Sequence, residues 1–315
     1  MSKIDICIPC YQYGHFLREC LDSVLSQTIR DVRILVVDDG STDDTLTVAK
    51  QYTERYACID VVAHPTNLGH IRTYNEGIAW ARSDYLLLLS ADDMLASGAL
   101  ERAVTIMDER PEIVFTHGSA VDLYPDRPVP QPGSSAADWQ IESGGDFIAR
   151  MCRDAVNFVA TPSVIVRTKA QKTVGGYRPA LPHSGDMEMW LRLATQGAVA
   201  CTPAIQAIKR VHGGNMSLAS SQRVLRDYAQ RADAFRLFFE HEGRDLKEAE
   251  ILSRTACRRL AERAFRTAVA QSARGQWSTA RSLFRLVCEL DSSRLPQSLL
   301  ARLGAGGMSA KSSVL

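Results

Sequence analysis

Four aspartates could do chemistry in this chain, because they occur as two adjacent pairs, each shortly after an apolar run. Asp38 and Asp39 end a run of aliphatic residues, and Asp92 and Asp93 follow a second run after two small residues. Such runs, bounded by turn residues and separated by helical stretches, are typical of parallel strands buried on both faces. Ligands of such sheets bind at the carboxyl ends of the strands. The sequence therefore predicts that all four acids lie along one edge.

The paired charges indicate the kind of ligand. Like charges at close range repel unless a cation or hydrogen-bond donors are present, so a divalent metal with a phosphorylated ligand fits the pattern. The alternative is that Asp38-Asp39-Gly40-Ser41 only turns the chain and caps the next helix.

The residues around the acids predict the elements that hold them. Residues 3–9 alternate like a strand, residues 10–15 break the pattern, and apolar residues at helical spacing follow from Phe16 to Leu25. The segment from His64 to Ile78 places an Asn, a Gly, an Arg and a second Asn between the two acidic strands. The order strand, loop, helix, strand predicts an α/β fold.

The chain resembles family 2 of the inverting glycosyltransferases, which have the GT-A fold. The resemblance covers about the first 215 residues and ends near His212. It rests on several groups of residues in the family's order, namely Ile8-Pro9-Cys10-Tyr11, Gln27-Thr28, Val37–Asp43, Asn67-Leu68-Gly69, Asn75–Ile78, Ser90–Asp93, Thr161-Pro162-Ser163, Val174–Tyr177 and Gly185–Leu193.

The resemblance implies a Rossmann-like, mostly parallel central sheet flanked by helices in a catalytic domain of residues 1–217. We expect a helical region at 218–303 and a disordered tail at 304–315. Charge separates the two main parts, since residues 1–219 carry 20 Lys and Arg against 26 Asp and Glu, whereas residues 220–302 carry 16 against 10. The predicted junction is Ser217–Ser221, after which Gly and Pro are rare.

The helical region contains a segment similar to one tetratricopeptide unit. Two helical stretches, 256–265 and 277–285, flank Arg274-Gly275-Gln276. A single unit cannot bury its faces alone, so we expect it to pack on the catalytic domain or on a partner. Its basic excess is either a solvated helix face or a contact for anionic lipid headgroups. Nucleic acid is not expected as a partner, since no recognition motif accompanies the charge.

Composition is typical of an enzyme with a sizeable core. The hydrophobic content is 45%, no apolar run approaches the roughly 18 residues of a membrane helix, and the polar start lacks a signal peptide. The eight cysteines are scattered, and the Cys7/Cys10 pair has no second pair with which to bind zinc. We expect a cytoplasmic protein with reduced thiols, peripheral to the inner face of the membrane if the basic helices bind lipid.

The resemblance assigns the nucleotide side of the site. It implies that Pro9 and Tyr11 border or stack on the base, that Asp39 hydrogen-bonds the base, and that Asp92 approaches the ribose. Arg72 lies where a basic residue commonly contacts base or phosphate; the alternative is a surface salt bridge. Asp39 can accept the imide N–H of uracil, which favours a uridine donor, although thymine offers the same group.

The resemblance also assigns a cofactor and its ligands. Asp93 is expected to bind Mg²⁺ or Mn²⁺, which would stabilise the diphosphate leaving group. His212 matches a histidine that completes the metal or diphosphate site in some relatives. A histidine in a Gly-rich loop is otherwise uninformative.

Asp186 is the expected catalytic base. It begins a helix, so the alternative is that it serves only as the helix N-cap. Many relatives have an acid directly before it, whereas this chain has Gly185, which leaves the acceptor type open. Thr161, Gly176 and Tyr177 are expected to line the acceptor side, although a Gly-rich turn can also be an ordinary chain reversal.

The predicted function is metal-dependent, inverting transfer of a sugar from a nucleotide diphosphate, expected to be a UDP-sugar, to an acceptor hydroxyl in cell-surface glycan assembly. The acceptor can be a lipid-linked glycan, a protein or a small molecule. A nucleotidyltransferase would be expected to have a Gly-rich basic loop, which residues 9–14 lack. A catalytically silent scaffold would be expected to lack Asp93 or Asp186, and both are present.

Overall fold

The structure, a computed structural model, describes residues 2–130, 138–215 and 221–291. The strands are β1 (Ile4–Cys10), β2 (Val32–Asp38), β3 (Ile59–Ala63), β4 (Tyr85–Leu88), β5 (Met94–Leu95), β6 (Ile113–Leu123), β7 (Gln140–Glu142), β8 (Ile165–Arg167) and β9 (Ala198–Arg210). The helices are α1 (Gly14–Leu25), α2 (Thr45–Thr53), α3 (His70–Trp80), α4 (Ala99–Glu109), α5 (Gly144–Asp154), α6 (Thr168–Val174), α7 (Gly185–Ala194), α8 (Ser221–Glu240), α9 (Ala249–Ala273) and α10 (Trp277–Leu290).

The strands form one mixed sheet in the order β3-β2-β1-β4-β8-β6-β9-β5, with β7 on β9. Strands β3, β2, β1 and β4 are parallel, so the prediction for the acidic strands is confirmed. Strand β8 runs antiparallel to both β4 and β6. The carboxyl ends of β1, β2 and β4 therefore meet at one edge, where the loops with the paired acids begin.

Helices cover both faces of the parallel strands. Successive residues of β1 point to opposite faces and therefore contact different helices. Ile4, Ile6 and Ile8 belong to the cluster that contains buried residues of α1, α2 and α4. Cys7 faces the other way, toward α3, and a Cβ on Gly77 would lie 2.3 Å from its sulfur. Gly77 thus permits the close contact between α3 and β1, and the predicted Rossmann-like core is confirmed.

The chain forms two compact units. The first consists of Met1–Phe147 and Phe158–Asn215, and the second consists of 148–157 and the chain after 215. Residues 148–157, which include most of α5, thus cluster with the later helices, which the continuous 1–217 boundary did not anticipate. Of the predicted junction Ser217–Ser221, only Ser221, the first residue of α8, is among the described residues. The last part of the 218–303 region and the tail at 304–315 also lie outside them.

The second unit is helical, as predicted. Ala261, Ala264 and Val287 join α9 to α10 in a small buried cluster, and the Tyr228 hydroxyl of α8 lies 2.8 Å from that of Thr267. Gly275 takes φ +73° in the turn between α9 and α10, a conformation that favours glycine. Within the residues described, no helix is long and apolar enough to cross a bilayer.

Candidate active site

The two carboxylates of the first acidic pair have different hydrogen-bond partners. Asp38 Oδ1 accepts a hydrogen bond of 3.1 Å from the Ser41 N–H, which closes the turn after β2. The N-cap of α2 is Asp44, so neither Asp38 nor Asp39 caps that helix. The turn-forming alternative thus describes Asp38, whereas Asp39 points to other groups.

Asp39 is held by three donors. Its Oδ1 accepts from the Leu68 N–H at 2.8 Å and lies 2.8 Å from His64 Nδ1, while its Oδ2 accepts from the Gly69 N–H at 2.9 Å. Burial alone would raise the pKa of this carboxyl, but the hydrogen bonds from His64, Leu68 and Gly69 bring it below its usual value. Asp39 is therefore ionised at neutral pH, and Oδ2 keeps room for a further donor.

Pro9, Tyr11 and Arg72 were also predicted to contact the nucleotide. Pro9 is buried at the end of β1, in register with Val37, and Tyr11 is 44% exposed in the loop that follows. An exposed ring in this position can stack on a base. Arg72 is exposed in the first turn of α3, and no carboxylate of the described residues lies within 4.0 Å of its guanidinium.

The second acidic pair is buried, and His212 holds its first member. His212 Nε2 lies 3.0 Å from Asp92 Oδ2, and the Gly214 N–H donates to His212 Nδ1 at 3.2 Å. Because Nδ1 accepts, the ring proton belongs on Nε2, which donates to Asp92. Asn215 Nδ2 also reaches Asp92 Oδ2, at 3.3 Å. In this arrangement His212 orients Asp92, and its expected role at the metal or diphosphate stays a prediction.

Asp93 is the acid that best fits a cation. It is 8% exposed, and its Oδ1 accepts from the Arg210 N–H at 3.0 Å. Burial, followed by the neighbouring charge of Asp92, raises the pKa of Asp93 to about 7. A bound cation would relieve that repulsion, so these carboxylates fit the predicted metal. Within the described ranges, no group of three His, Cys, Asp or Glu side chains could hold a metal ion. A Mg²⁺ ion held by one or two carboxylates and by substrate phosphates needs no such group.

Asp186 lies in the first turn of α7, as predicted. The N-cap of that helix is Ser184, so the alternative role of Asp186 as the N-cap is wrong. Its Oδ2 accepts a hydrogen bond of 2.8 Å from the Thr161 hydroxyl, and the Tyr177 hydroxyl also donates to it. Burial raises the pKa of Asp186, although these two hydrogen bonds oppose the shift. Two predicted acceptor-side residues thus contact the predicted base.

Gly176, the third predicted acceptor-side residue, has a packing role. A Cβ there would lie 2.4 Å from Asn75 Oδ1, which itself accepts a hydrogen bond of 2.6 Å from the Tyr177 N–H. Asn75 Nδ2 donates back to the Tyr177 carbonyl at 2.9 Å. Asn75 therefore fixes the backbone that carries Tyr177, and the missing side chain of Gly176 makes room for it.

Tyr74, which was not predicted, lies beside Tyr177. Its ring lies 5.2 Å from that of Tyr177, centroid to centroid. Its pKa is raised by burial and then by the charges of Asp186, Asp92 and Asp93. Tyr74 therefore packs against Tyr177, and the negative charge of both groups of acids disfavours ionisation of its hydroxyl.

His64 and Glu76 were also missed. His64 directly follows β3, and its backbone N–H donates to the Asp38 carbonyl at 2.8 Å. The rule that pointed to the paired acids, position at the carboxyl end of a strand, would have pointed to His64 as well. Glu76 carries no such signal, since it lies within α3.

The family model of glycosyl transferase family 2 matches residues 5–172, more than half of the chain. The chain belongs to that family, and the resemblance inferred from its motifs is confirmed.

Two relatives show the extent of the similarity. An uncharacterized glycosyltransferase of Haemophilus influenzae is 29% identical over 119 residues, which cover 38% of this chain and 47% of that protein. The putative glycosyltransferase EpsE of Bacillus subtilis is 27% identical over 206 residues, covering 62% of this chain and 68% of that protein. The chain thus spans about half the length of the first of these relatives.

Solved structures share the fold. The S. aureus TarS 1-349 complex with UDP-GlcNAc superposes with a TM-score of 0.68 at 18% identity, covering 95% of this chain and 83% of that chain. The mannosyltransferase PcManGT of Pyrobaculum calidifontis, in complex with GDP-Man and Mn²⁺, has a TM-score of 0.60 at 14% identity, covering 96% and 79%. The predicted GT-A fold is confirmed.

Proposed function

We propose that this protein transfers a glycosyl group from a nucleotide-diphosphate sugar to an acceptor hydroxyl with inversion. The observation that carries the proposal is the buried pair Asp92 and Asp93, held by His212 and the Arg210 amide, together with a separately supported base candidate, Asp186, which accepts a hydrogen bond from Thr161. A sugar between these groups would have its leaving diphosphate near one end and the attacking hydroxyl near the other. In this proposal residues 1–217 form the catalytic domain, and 218–303 take no part in the chemistry.

The donor end provides binding and charge. Asp39, held by three hydrogen bonds, offers its remaining acceptor position to a base N–H, and exposed Tyr11 offers a ring for stacking. Asp92, oriented by His212, faces the ribose. Asp93 would hold a divalent cation, Mg²⁺ or Mn²⁺, which supplies charge stabilisation to the diphosphate as it leaves. No carboxylate of the described residues pairs with Arg72, so its guanidinium is available to a phosphate.

Asp186 acts at the acceptor end. Its raised pKa makes it a better proton acceptor than an exposed aspartate, and the hydroxyls of Thr161 and Tyr177 orient its carboxylate. As the acceptor oxygen attacks the anomeric carbon, the proton of that hydroxyl passes to Asp186. A single displacement with one base produces inversion at that carbon.

We propose a UDP-sugar as the donor and a cell-surface glycan as the product. The N–H of uracil suits the acceptor oxygen of Asp39, and a structure that shares this fold was solved with UDP-GlcNAc. Another was solved with GDP-Man and Mn²⁺, which supports a divalent cation and keeps guanine as the competing base.

A panel of nucleotide sugars tests the proposal. Binding is measured by calorimetry, and donor hydrolysis is followed as release of UDP or GDP, each with Mn²⁺ and with EDTA. We expect one UDP-sugar to bind and to be hydrolysed only with the metal. Equal affinity in EDTA would contradict the metal site, preference for a GDP-sugar would contradict the donor, and no binding of any nucleotide sugar would contradict the function.

We also propose that the helical unit contacts an anionic lipid surface. Five arginines of α9, α10 and the turn between them are exposed and have no described carboxylate within 4.0 Å: Arg263, Arg266, Arg274, Arg281 and Arg285. Trp277, which begins α10, is 69% exposed. Exposed cations beside an exposed indole are typical of surfaces that bind at a membrane interface.

A further inference from the structure

The His64 side chain lies between two carboxylates. Its Nδ1 is 2.8 Å from Asp39 Oδ1, and its Nε2 is 2.8 Å from Glu76 Oε2. The imidazole is 9% exposed, and the Asp39 side chain is 4% exposed. Because both nitrogens face acceptor oxygens, a neutral ring could satisfy only one of the two contacts. The geometry therefore suits an imidazolium, which donates to both acids.

The surrounding charges agree with this protonation state. Asp39 faces His64 from the loop after β2, and Glu76 faces it from α3. Burial lowers the pKa of His64, but the hydrogen bonds and charges of Asp39 and Glu76 outweigh burial and raise it above its usual value. The pKa of Asp39 moves the opposite way, as expected for a charged pair.

We propose that His64, held by Glu76, is a positioning residue for Asp39, and that donor nucleotide affinity decreases when His64 loses its proton. The inference rests on the proposed role of Asp39 at the nucleotide base. The Leu68 and Gly69 amides fix where the Asp39 carboxylate lies, and the imidazolium keeps that carboxylate ionised and its Oδ1 occupied. The ligand N–H is thereby directed to Oδ2.

The sign of the pH dependence follows from the raised pKa of His64. The imidazolium is present below that pKa, and its contribution to binding is lost as the pH rises through it. Glu76 is needed for this behaviour, since its negative charge helps to retain the proton. Without that charge, the same loss occurs at lower pH.

The test is calorimetry of UDP in saturating Mg²⁺ from pH 5.5 to 8.5 on four full-length proteins: wild type, His64→Asn, Glu76→Gln and the control His241→Asn, which changes an exposed histidine of the helical unit. Asn keeps a donor near the Nδ1 position but carries no charge. UDP and the acids of the metal site also titrate, so the quantity compared is the ratio of each variant's affinity to that of wild type.

We expect His64→Asn to bind UDP about fivefold more weakly than wild type at the acid end, where the charged donor is lost, and almost equally at the alkaline end. The Glu76→Gln ratio should fall at intermediate pH, where the variant has lost the His64 proton and wild type has kept it, and His241→Asn should follow wild type. A UDP analogue methylated at N3 lacks the base N–H, so its weaker binding should not change with His64.

Other results would separate a failure of the His64 proposal from a failure of the proposed function. If wild type binds UDP but the His64→Asn ratio is flat with pH, or the Glu76→Gln ratio does not fall at intermediate pH, His64 is only structural and the proposed function stands. If wild type binds neither UDP nor GDP at any pH, the proposed function itself fails. Glu76 is partly exposed, so its variant should fold even if the His64 variant is destabilised.

Discussion

The two units of this protein use charged residues in opposite ways. In the first unit, Glu188 is fully buried and pairs with Arg178 and with Arg192, whose Nε lies 2.8 Å from Glu188 Oε1. In the helical unit, most of the described pairs are at helical spacing, and each has at least one partner in solvent. Arg254 and Glu250, for example, have side chains that are 79% and 65% exposed.

This difference in burial determines how much an ion pair contributes to the stability of each unit. A buried acid loses its hydration, so it must be satisfied by partners from several elements, and removing one partner is costly. An exposed pair on one helix keeps most of its hydration, and its measured contribution is small. The first unit therefore uses charge for specificity and chemistry, whereas the helical unit displays charge on its surface.

The sharpest test contrasts two acids in the same turn of α7. Asp186→Asn should lower turnover by about 10²–10⁴-fold, the usual contribution of a general base, while UDP affinity and thermal stability stay close to wild type. Steady-state transfer rates, calorimetry and a melting curve measure the three quantities. Turnover above about a tenth of wild type would exclude Asp186 as the base.

Glu188→Gln should have the opposite effect, a loss of stability with turnover close to wild type. It leaves the buried cation Arg192 without its carboxylate, although the carbonyls of Val174 and Gly176 still accept from its guanidinium at 2.6 and 2.8 Å. We expect the free energy of unfolding to decrease by about 3 kcal/mol, as measured by urea denaturation. Unchanged stability with lost turnover would instead move Glu188 into the chemistry.

The exposed arginines test the role of the helical unit. Replacing Arg263 and Arg266 by Gln removes two charges and should weaken binding to phosphatidylserine vesicles by about 2 kcal/mol at low salt, about 30-fold. Arg254→Gln is the matched control, because that charge is already paired with Glu250. Flotation at low and high salt measures the effect. Equal flotation of all three proteins, or none at low salt, would leave the arginines as a solvated face.

The smallest effect is expected at the exposed pair of Arg254 and Glu250. Glu250→Gln should change the free energy of unfolding by no more than about 0.5 kcal/mol, since helical pairs in solvent contribute little. Urea denaturation beside Glu188→Gln makes the comparison direct. A loss above about 1 kcal/mol would show that this surface is less solvated than its exposure indicates.

The sequence by itself determined the order of the strands and helices and the edge where the acids lie. Buried parallel strands leave a continuous apolar run, and a run that ends in acids places those acids at the carboxyl edge whatever the rest of the fold does. For the same reason, the positions of Asp39 and Asp93 could be inferred. Asp186 was inferred from the family resemblance and from its place at the start of a helix, and the helical character of the region after 220 from the rarity of Gly and Pro.

Only the tertiary structure decided what each acid contacts. Asp39 meets His64 and Gly69, Asp92 meets His212, and Asp186 meets Thr161, pairs separated by 25, 30, 120 and 25 residues. No local periodicity encodes contacts across such distances, because they depend on how β2, β3, α3, α7 and the end of β9 converge. The protonation of His64, the orientation of Asp92 and the support of Asp186 are therefore properties of the folded chain.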